Sequence, residues 1–402
     1  MKQWLTIIGM GEDGHEGLSA SAKLALGNAE IIIGAERLLA MLPELKTETH
    51  LWPQPFSAAY AQVKSFSGRH TVLLATGDPM NFGVARKIFE IIKREEIEVI
   101  PHLSAFSLAA ARLGWSIPDC DCFTIHGRPA ANLEAFIQPD AKLLVLTQDG
   151  SSIAEACHIL EKRGFEKSQI AVLENMGGPY ERVTYFAADQ NPNHDWSPLN
   201  TLAIHCVASP QAKFYSRLAG LPDEAFQHDG QLTKREVRAA TLAALAPAPD
   251  QLLWDIGAGC ASVAIEWMRS TRGCEAIAIE QDENRCLMIT NNASALGAPR
   301  LKLVRGSAPQ ALTNLPAPHA VFIGGGISEA AVFETAWAAL SRGGNLVANV
   351  VTIEGESRLY DLQKTHGGEL VRMEISNLTT VGPYRAMKPR MAVTQWRVQK
   401  PW

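Results

Sequence analysis

A glycine-rich segment in the second half of the chain, residues 255–261, has the composition of a ligand-binding loop. It follows an apolar run typical of a buried strand and precedes a stretch with the pattern of a helix. Gly257 and Gly259 carry no side chain, so the backbone there can press against a ligand and present its N–H groups. Glu280 ends the next strand-like run, 25 residues after Asp255, and a carboxylate in that position can accept hydrogen bonds from both hydroxyls of a ribose.

This segment admits three interpretations. A nicotinamide site requires G-x-G-x-x-G, and Ser262 stands at the third glycine position counted from Gly257. The glycines could also do no more than shape a tight strand-to-helix turn. Asp255, two residues before Gly257, instead suits the positively charged end of S-adenosylmethionine, so we favour a methyl-donor site. Its candidate residues are Asp255, Gly257, Ala258, Gly259, Cys260, Ala261 and Glu280.

Three loops of the N-terminal half form a second candidate site. Each lies just past a strand-like run, where open α/β sheets bind their ligands, so we expect the loops to share one cleft. The tripeptide 77–79 is also an ordinary turn signal, and a purely structural turn is the alternative for it alone. The candidate residues of these loops are Gly9, Gly11, Asp78, Asn81, Ser104 and Ala105.

The elements that position these loops follow from alternating apolar and helical runs. From the start to about residue 205 they predict βα units with largely parallel pairing, in two α/β lobes that divide near 114–121. An irregular stretch rich in proline and glycine, 206–230, is typical of a linker. Thr233 and Glu236 have the spacing of a capping box, which predicts a new domain over 231–402 with a doubly wound, Rossmann-like α/β fold.

Composition excludes several classes of protein. The chain has 402 residues, of which 47% are hydrophobic and 20% charged, which is a globular balance for two or three domains. The net charge of −5 and the lack of a basic block argue against nucleic acid as a partner. Seven cysteines without paired C-x-x-C clusters argue against a disulfide scaffold or a zinc site. The sequence shows neither a signal peptide nor a membrane-spanning run, and we expect a cytoplasmic protein.

The C-terminal half resembles the decarboxylating precorrin methyltransferase domains of cobalamin biosynthesis. The resemblance rests on the order and spacing of five segments: 233–238, 255–261, Glu280, 306–312 and 322–326. It implies that Thr233, the glycine loop, Glu280 and Ala308 line an S-adenosylmethionine pocket. The chain departs from the family at Ala261, where glycine is usual, and at Ser307 and His319, where aspartate is frequent. We expect Ala261 to require a helical φ, and Ser307 to remove a carboxylate that could face the adenine.

The N-terminal half resembles the tetrapyrrole methylase superfamily, a two-lobed fold in which S-adenosylmethionine lies between the lobes. The resemblance implies that Asp78, Asn81, Ser104 and Ala105 contact the donor. It also implies that the first glycine loop faces the substrate, and we count Gly9 and Gly11 of this loop with the cofactor-binding residues. A tetrapyrrole methylase followed by a decarboxylating domain is similar to the fused methyltransferases of cobalamin biosynthesis over nearly the whole chain.

What this resemblance implies is a bifunctional enzyme that methylates carbons 5 and 15 of a precorrin and removes the ring C acetate as carbon dioxide. The N-terminal half would act on carbon 5 and the C-terminal half on carbon 15. Each chain would bind two S-adenosylmethionine molecules and release S-adenosylhomocysteine, without a metal ion or a membrane, as a homo-oligomer. Two other hypotheses stay open: a methyltransferase acting on RNA or protein, and a non-catalytic S-adenosylmethionine-binding protein.

The sequence offers several candidates for the residues that bind the substrate and for the proton acceptor. A precorrin carries several carboxylates, so its pocket should offer arginines. The candidate arginines for this role are Arg235, Arg238, Arg385 and Arg390. His102, His126 and His205 could accept protons, as could His319, but the sequence does not assign the catalytic base.

Overall fold

The computed structural model describes residues 3–44, 46–192 and 194–402. The chain divides into two compact units of unlike fold. The N-terminal unit comprises 1–130 and 138–213, and the C-terminal unit comprises 131–137 and 214–402.

A five-stranded parallel sheet forms the first lobe of the N-terminal unit. Its strands are β1 (Leu5–Met10), β2 (Ile31–Gly34), β3 (Glu48–Leu51), β4 (Thr71–Thr76) and β5 (Ile97–Ile100), in the order β3-β2-β4-β1-β5. Its helices are α1 (Ala20–Gly27), α2 (Glu36–Ala40), α3 (Ala59–Ser65) and α4 (Ala85–Ile88). The central strands are almost completely buried apolar runs, as expected where helices cover both faces of a parallel sheet.

The second lobe begins with α5 (Ala105–Leu113) and contains a mixed sheet. Its further elements are β6 (Cys120–Thr124), β7 (Lys142–Leu146), α6 (Ser151–Arg163), β8 (Gln169–Glu174), β9 (Arg182–Ala187) and β10 (Asn200–His205), with strand order β6-β7-β10-β8-β9. Only β6 and β7 pair in parallel, so the prediction of largely parallel pairing is wrong for this lobe. No helix separates β8 from β9, and a short connection joins neighbouring strands antiparallel.

The C-terminal unit contains the predicted doubly wound sheet, with antiparallel strands added at one edge. Its elements are α7 (Arg235–Leu245), β11 (Leu252–Ile256), α8 (Ser262–Ser270), β12 (Glu275–Glu280), α9 (Glu283–Ala295), β13 (Lys302–Arg305), β14 (Ala320–Ile323), α10 (Ala330–Ala339), β15 (Asn345–Val350), α11 (Ile353–His366), β16 (Glu369–Met373), β17 (Ser376–Val381), β18 (Tyr384–Pro389) and β19 (Val393–Gln399). The order is β13-β12-β11-β14-β15-β19-β16, and β17 and β18 form a separate antiparallel hairpin.

The segment 206–230 contains neither a strand nor an α-helix, yet its second half packs into the C-terminal unit. Leu221 and Phe226 are 2% and 5% exposed and belong to the core beneath α7 and α8. The expected capping box is wrong: α7 begins at Arg235 with Lys234 as N-cap, whose side chain makes no capping hydrogen bond, and the N–H of Arg235 donates to Asp223 Oδ1 at 3.0 Å. Thr233 instead contributes its carbonyl oxygen, which accepts from Arg238.

These contacts give a prediction about fragments of the chain. Fragments 1–205 and 231–402 follow the boundaries that the sequence indicates, but the second one lacks Leu221 and Phe226. Burying each of these side chains stabilises a fold by about 1.5–3 kcal/mol. We therefore expect fragment 214–402 to melt cooperatively at a higher temperature than 231–402, as measured by circular dichroism. Equal melting temperatures would contradict the assignment of 214–230 to this unit.

Candidate functional site

A cavity of about 1130 Å³ lies at the carboxyl ends of β11, β14 and β15 in the C-terminal unit. Its wall includes the glycine loop after β11, the residues 324–328 after β14, and part of the β17–β18 hairpin. Open α/β sheets bind ligands at this edge. Among the residues that the sequence singled out, the lining contains Thr233, Gly257, Ala258, Gly259 and Arg390.

The glycine loop needs its glycines for conformation and for space. Gly257 has φ +70°, and a Cβ there would lie 3.0 Å from the backbone nitrogen of Gly325. The N–H groups of Gly257 and Ala258 both donate to the carbonyl oxygen of Ile279, which ties the loop to β12. A side chain at Gly257 would therefore press into the loop after β14 and into the cavity.

Ala261 and Cys260 complete the turn into α8. Ala261 is left-handed, with φ +59°, so the expectation of a helical φ is wrong. Its carbonyl oxygen accepts from Ile265 and begins α8, and this placement requires the conformation that glycine adopts more easily. Cys260 is buried in the core, where burial raises the pKa of its thiol to about 11, so the thiol stays neutral.

Glu280 stabilises the glycine loop from behind. Its Oε2 accepts from the N–H of Gly259 at 2.9 Å, and its Oε1 accepts from Gln281 and Asp282, each at 2.9 Å. The side chain is 5% exposed. Three backbone N–H groups thus hold the carboxylate in place, and Oε2 keeps a lone pair for a ligand hydroxyl. Ala308 lies farther along this edge, two residues after Gly306, whose N–H donates to the carbonyl oxygen of Glu280.

Asp255, at the end of β11, is a buried carboxyl group with one oxygen unpaired. Its Oδ2 accepts from Ala264 N–H at 3.1 Å, while Oδ1 is buried and has no hydrogen-bond partner among the described residues. Burial raises the pKa of Asp255 to about 7; the Ala264 hydrogen bond opposes this shift and the charge of Glu280 adds to it. A ligand cation beside Oδ1 would favour the ionised form.

The structure separates the four candidate arginines. Arg238 is fully buried, where it pairs with Glu266 at 2.6 Å and also donates to Asp223 and to the carbonyl oxygen of Leu221. We therefore correct its assignment: its guanidinium joins α7 to α8 and to the segment before it, and none of it faces the cavity. Arg390 lines the cavity and pairs with Glu236 at 3.0 Å. Arg235, at the start of α7, and Arg385, on β18, are not part of the cavity wall.

The three predicted loops of the N-terminal unit meet at Gly9, the penultimate residue of β1. A Cβ on Gly9 would overlap the carbonyl oxygen of Gly77 and lie 2.6 Å from the backbone nitrogen of His102. Gly77 in turn faces the carbonyl oxygen of Leu103. Since these residues follow β1, β4 and β5, the loops form one cluster at the carboxyl edge of the parallel sheet.

Within this cluster, hydrogen bonds from nearby backbone N–H groups fix the side chains of Asp78 and Ser104. Asp78 Oδ1 accepts from Met80 N–H at 2.9 Å, and its carbonyl oxygen accepts from Asn81. Ser104 caps α5 by accepting from Ser107 N–H at 3.1 Å, so Ala105 lies at the helix N-terminus. Gly11 lies in the loop after β1. The six predicted residues of this unit therefore share one cluster of loops.

The second lobe contacts this cluster. A Cβ on Gly178, in the loop between β8 and β9, would lie 2.6 Å from Glu12 Cβ. Within the second lobe, Arg112 of α5 donates to both carboxylate oxygens of Glu181, each at 2.7 Å, and these hydrogen bonds hold the loop between β8 and β9 and lower the pKa of Glu181 to about 2. The two lobes of the N-terminal unit thus meet beside the loop that follows β1.

A carboxylate and an imidazole that the sequence did not pair lie in this cluster. Asp13 Oδ2 is 3.6 Å from His102 Nε2, and His102 is 15% exposed. Gly11 and Gly17 leave room for the Asp13 carboxylate, since a Cβ on either would crowd it. The only signal in the sequence is the position of both residues just past strand ends. His126 and His319, by contrast, direct a ring nitrogen at backbone groups.

Three further observations concern the described parts of the chain. No group of three His, Cys, Asp or Glu residues comes together there as metal ligands would. All seven cysteines are free thiols. None of the described helices has both the length and the apolar character needed to span a membrane.

Comparison with known proteins covers both units. Residues 4–189 match the tetrapyrrole (corrin/porphyrin) methylases, and residues 224–400 match the precorrin methyltransferase domain. A precorrin-6Y C(5,15)-methyltransferase (decarboxylating) of Sinorhizobium sp. is 43% identical over 394 residues, which is 98% of this chain and 95% of the relative. A protein of the same name from Mycobacterium tuberculosis (strain ATCC 25618 / H37Rv) is 37% identical over 98% of this chain and 100% of its own length.

Among solved structures, the C-terminal domain of the precorrin-6Y C5,15-methyltransferase from Rhodobacter capsulatus is 44% identical, with a TM-score of 0.44. It covers 46% of this chain and 100% of that domain. The end-to-end match of the full-length relatives, at up to 43% identity, decides the assignment. The chain belongs to the family of decarboxylating precorrin-6Y C(5,15)-methyltransferases.

Proposed function

We propose that this chain is a bifunctional methyltransferase that methylates carbons 5 and 15 of a precorrin and decarboxylates its ring C acetate in cobalamin biosynthesis. The observation that carries the proposal is a glycine-loop site in each of two units of unlike fold, in a chain that matches relatives of this name from end to end. We further propose that each unit binds its own S-adenosylmethionine and that the protein is a homo-oligomer of the cytoplasm.

Methyl transfer requires the protein to align the donor and the acceptor, and it requires no nucleophilic side chain. Methyl transfer from a sulfonium breaks one S–C bond as the C–C bond forms, and S-adenosylhomocysteine leaves as a neutral thioether. The positive charge passes to the tetrapyrrole, which can then lose a proton or carbon dioxide to restore its conjugation. In the C-terminal unit the cavity offers the space in which donor and acceptor would be aligned for this step.

At carbon 5 no carboxyl group is lost, so the methylated carbon must lose its proton. In the N-terminal unit Asp13 and His102 lie together beside Gly11. Gly11 belongs to the first glycine loop, which faces the substrate if the resemblance holds for this chain. The pair offers a proton acceptor there, with the imidazole Nε2 of His102 3.6 Å from the carboxylate of Asp13.

The product of one reaction tests the proposal. The full chain is incubated with S-adenosylmethionine and precorrin-6Y, and the products are analysed by mass spectrometry. We expect a product that is two methyl groups heavier and one carbon dioxide lighter than the substrate. Methylation of RNA or protein in place of the tetrapyrrole, or donor binding without any transfer, would support one of the two competing hypotheses.

A further inference from the structure

The β17–β18 hairpin presents different side chains on its two faces. Asn377 pairs directly with Lys388, and Thr380 pairs directly with Arg385. Because side chains alternate along a strand, these two pairs lie on opposite faces of the hairpin. Asn377, Thr379 and Lys388 line the cavity, and from the opposite face only Leu378 and Pro389, near the end of the hairpin away from its turn, do so; Thr380 and Arg385 do not. Lys388, and not Arg385, is therefore the cation of this hairpin that lines the cavity.

Four cationic side chains line the cavity, and three of them already have a carboxylate partner. Arg390 pairs with Glu236 at 3.0 Å and Arg285 with Asp229 at 2.8 Å. Lys234 lies 3.9 Å from Asp223. The fourth, Lys388, has no carboxylate partner among the described residues.

The surroundings of Lys388 suit an anion. Asn377, directly opposite, offers amide N–H donors, and Thr379, two residues along the same face, offers a hydroxyl. A ligand carboxylate placed here would meet one unpaired cation and two neutral donors, with no acidic residue in the cavity wall to repel it. The cavity of about 1130 Å³ also exceeds the usual size of a pocket for one small ligand, so it has room for a second, larger ligand beside the donor.

We propose that Lys388, with Asn377 and Thr379, forms the subsite that binds a side-chain carboxylate of the tetrapyrrole and so orients the macrocycle at the C-terminal donor site. The subsite rests on the proposed function, because the carboxylate belongs to that substrate. The bound carboxylate is one that stays on the ring, because an ion pair with the leaving acetate would stabilise the charge that decarboxylation must disperse. Lys388 is therefore a substrate-positioning residue.

Substitutions on the two faces of the hairpin test this subsite. Lys388→Gln in the full chain is expected to raise the KM for precorrin-6Y about tenfold or more, since a hydrogen bond between charged groups is lost. The affinity for S-adenosylhomocysteine, measured by calorimetry, should stay unchanged. Lys388→Arg should recover most of the KM, and the salt dependence of KM should be weaker in Lys388→Gln than in the wild type.

Lys302→Gln is the matched control, because it removes the same charge from an exposed residue of β13 outside the cavity wall. An unchanged KM in Lys388→Gln would overturn the subsite, and so would a raised KM in Arg385→Gln instead, since the other face would then bind the substrate. If the wild type transfers no methyl group to the tetrapyrrole, the proposed function fails before the subsite is tested.

Discussion

Replacing Gly257 by Val is expected to abolish the release of carbon dioxide from precorrin-6Y. The new side chain would start 3.0 Å from the backbone of Gly325, in a residue at φ +70°, and would extend into the cavity where we place the donor. Without a methyl transfer at this site the macrocycle gains no positive charge to drive the decarboxylation. Carbon dioxide and the mass of the tetrapyrrole are measured together.

Two further variants show whether this loss is specific. Gly367→Val is the control for backbone strain, because Gly367 has φ +71°, open space around its Cβ and no place in the cavity wall. Asp78→Ala combined with Ser104→Ala disables the N-terminal loops and should yield a tetrapyrrole that is methylated once and already decarboxylated. Loss of decarboxylation in this double variant, with its circular dichroism unchanged, would contradict the division of labour between the two units.

Replacing Asp255 by Asn is expected to stabilise the donor-free C-terminal unit at pH 8. The folded unit raises the pKa of Asp255 from 3.8 to about 7, so above pH 7 the ionised carboxylate destabilises the fold by about 4 kcal/mol. Asn has no such charge, although its unpaired amide N–H group costs about 1–3 kcal/mol. A net gain of about 1–3 kcal/mol therefore remains.

The sign of this effect follows from proton binding. Between pH 3.8 and 7 the folded state binds more protons at Asp255 than the unfolded state, so the wild type loses stability as the pH rises through this window. The advantage of Asp255→Asn should accordingly shrink toward pH 4. Hydrogen exchange of the amides in β11 and α8 measures it in the full chain, and equal protection of both proteins at pH 8 would contradict the raised pKa.

Asp255→Asn should also weaken donor binding. This effect distinguishes a carboxylate that binds the donor from one that only destabilises the fold. In a chain that also carries Asp78→Ala and Ser104→Ala, calorimetry reports the C-terminal site alone. With Asp255 present, affinity for S-adenosylmethionine should rise as the pH passes 7, because the ionised form attracts the cationic donor. With Asn this rise should be absent. A rise of equal size in both proteins would exclude Asp255 from the donor site.

The sequence predicts the elements whose signal is local. The run at Ile31–Gly34 is completely buried, and the glycine loop after β11 lies where its composition indicates. Strands without such a signal escape prediction: every residue of β18 is exposed, and β9 is only partly buried. The antiparallel order of the second lobe depends on long-range pairing that no single stretch encodes.

The roles of individual site residues also depend on contacts that only the fold reveals. Arg238 carries the charge expected of a residue that binds ligand carboxylates. Only the fold reveals that Glu266 pairs with it in the core. Arg385 and Lys388 are three residues apart, and they lie on two faces because side chains alternate along β18, a strand that the sequence did not predict. Asp13 and His102 are 89 positions apart in the sequence and meet because β1 and β5 are neighbours in the sheet.

The number of donor molecules bound per chain distinguishes two donor sites from one, because each unit is assigned its own donor site. The wild-type full chain is titrated with S-adenosylhomocysteine in a calorimeter. The structure leads us to expect two molecules per chain, falling to one in Gly257→Val and to one in the Asp78→Ala, Ser104→Ala double variant. A reproducible count of one in the wild type would contradict the presence of a donor site in each unit.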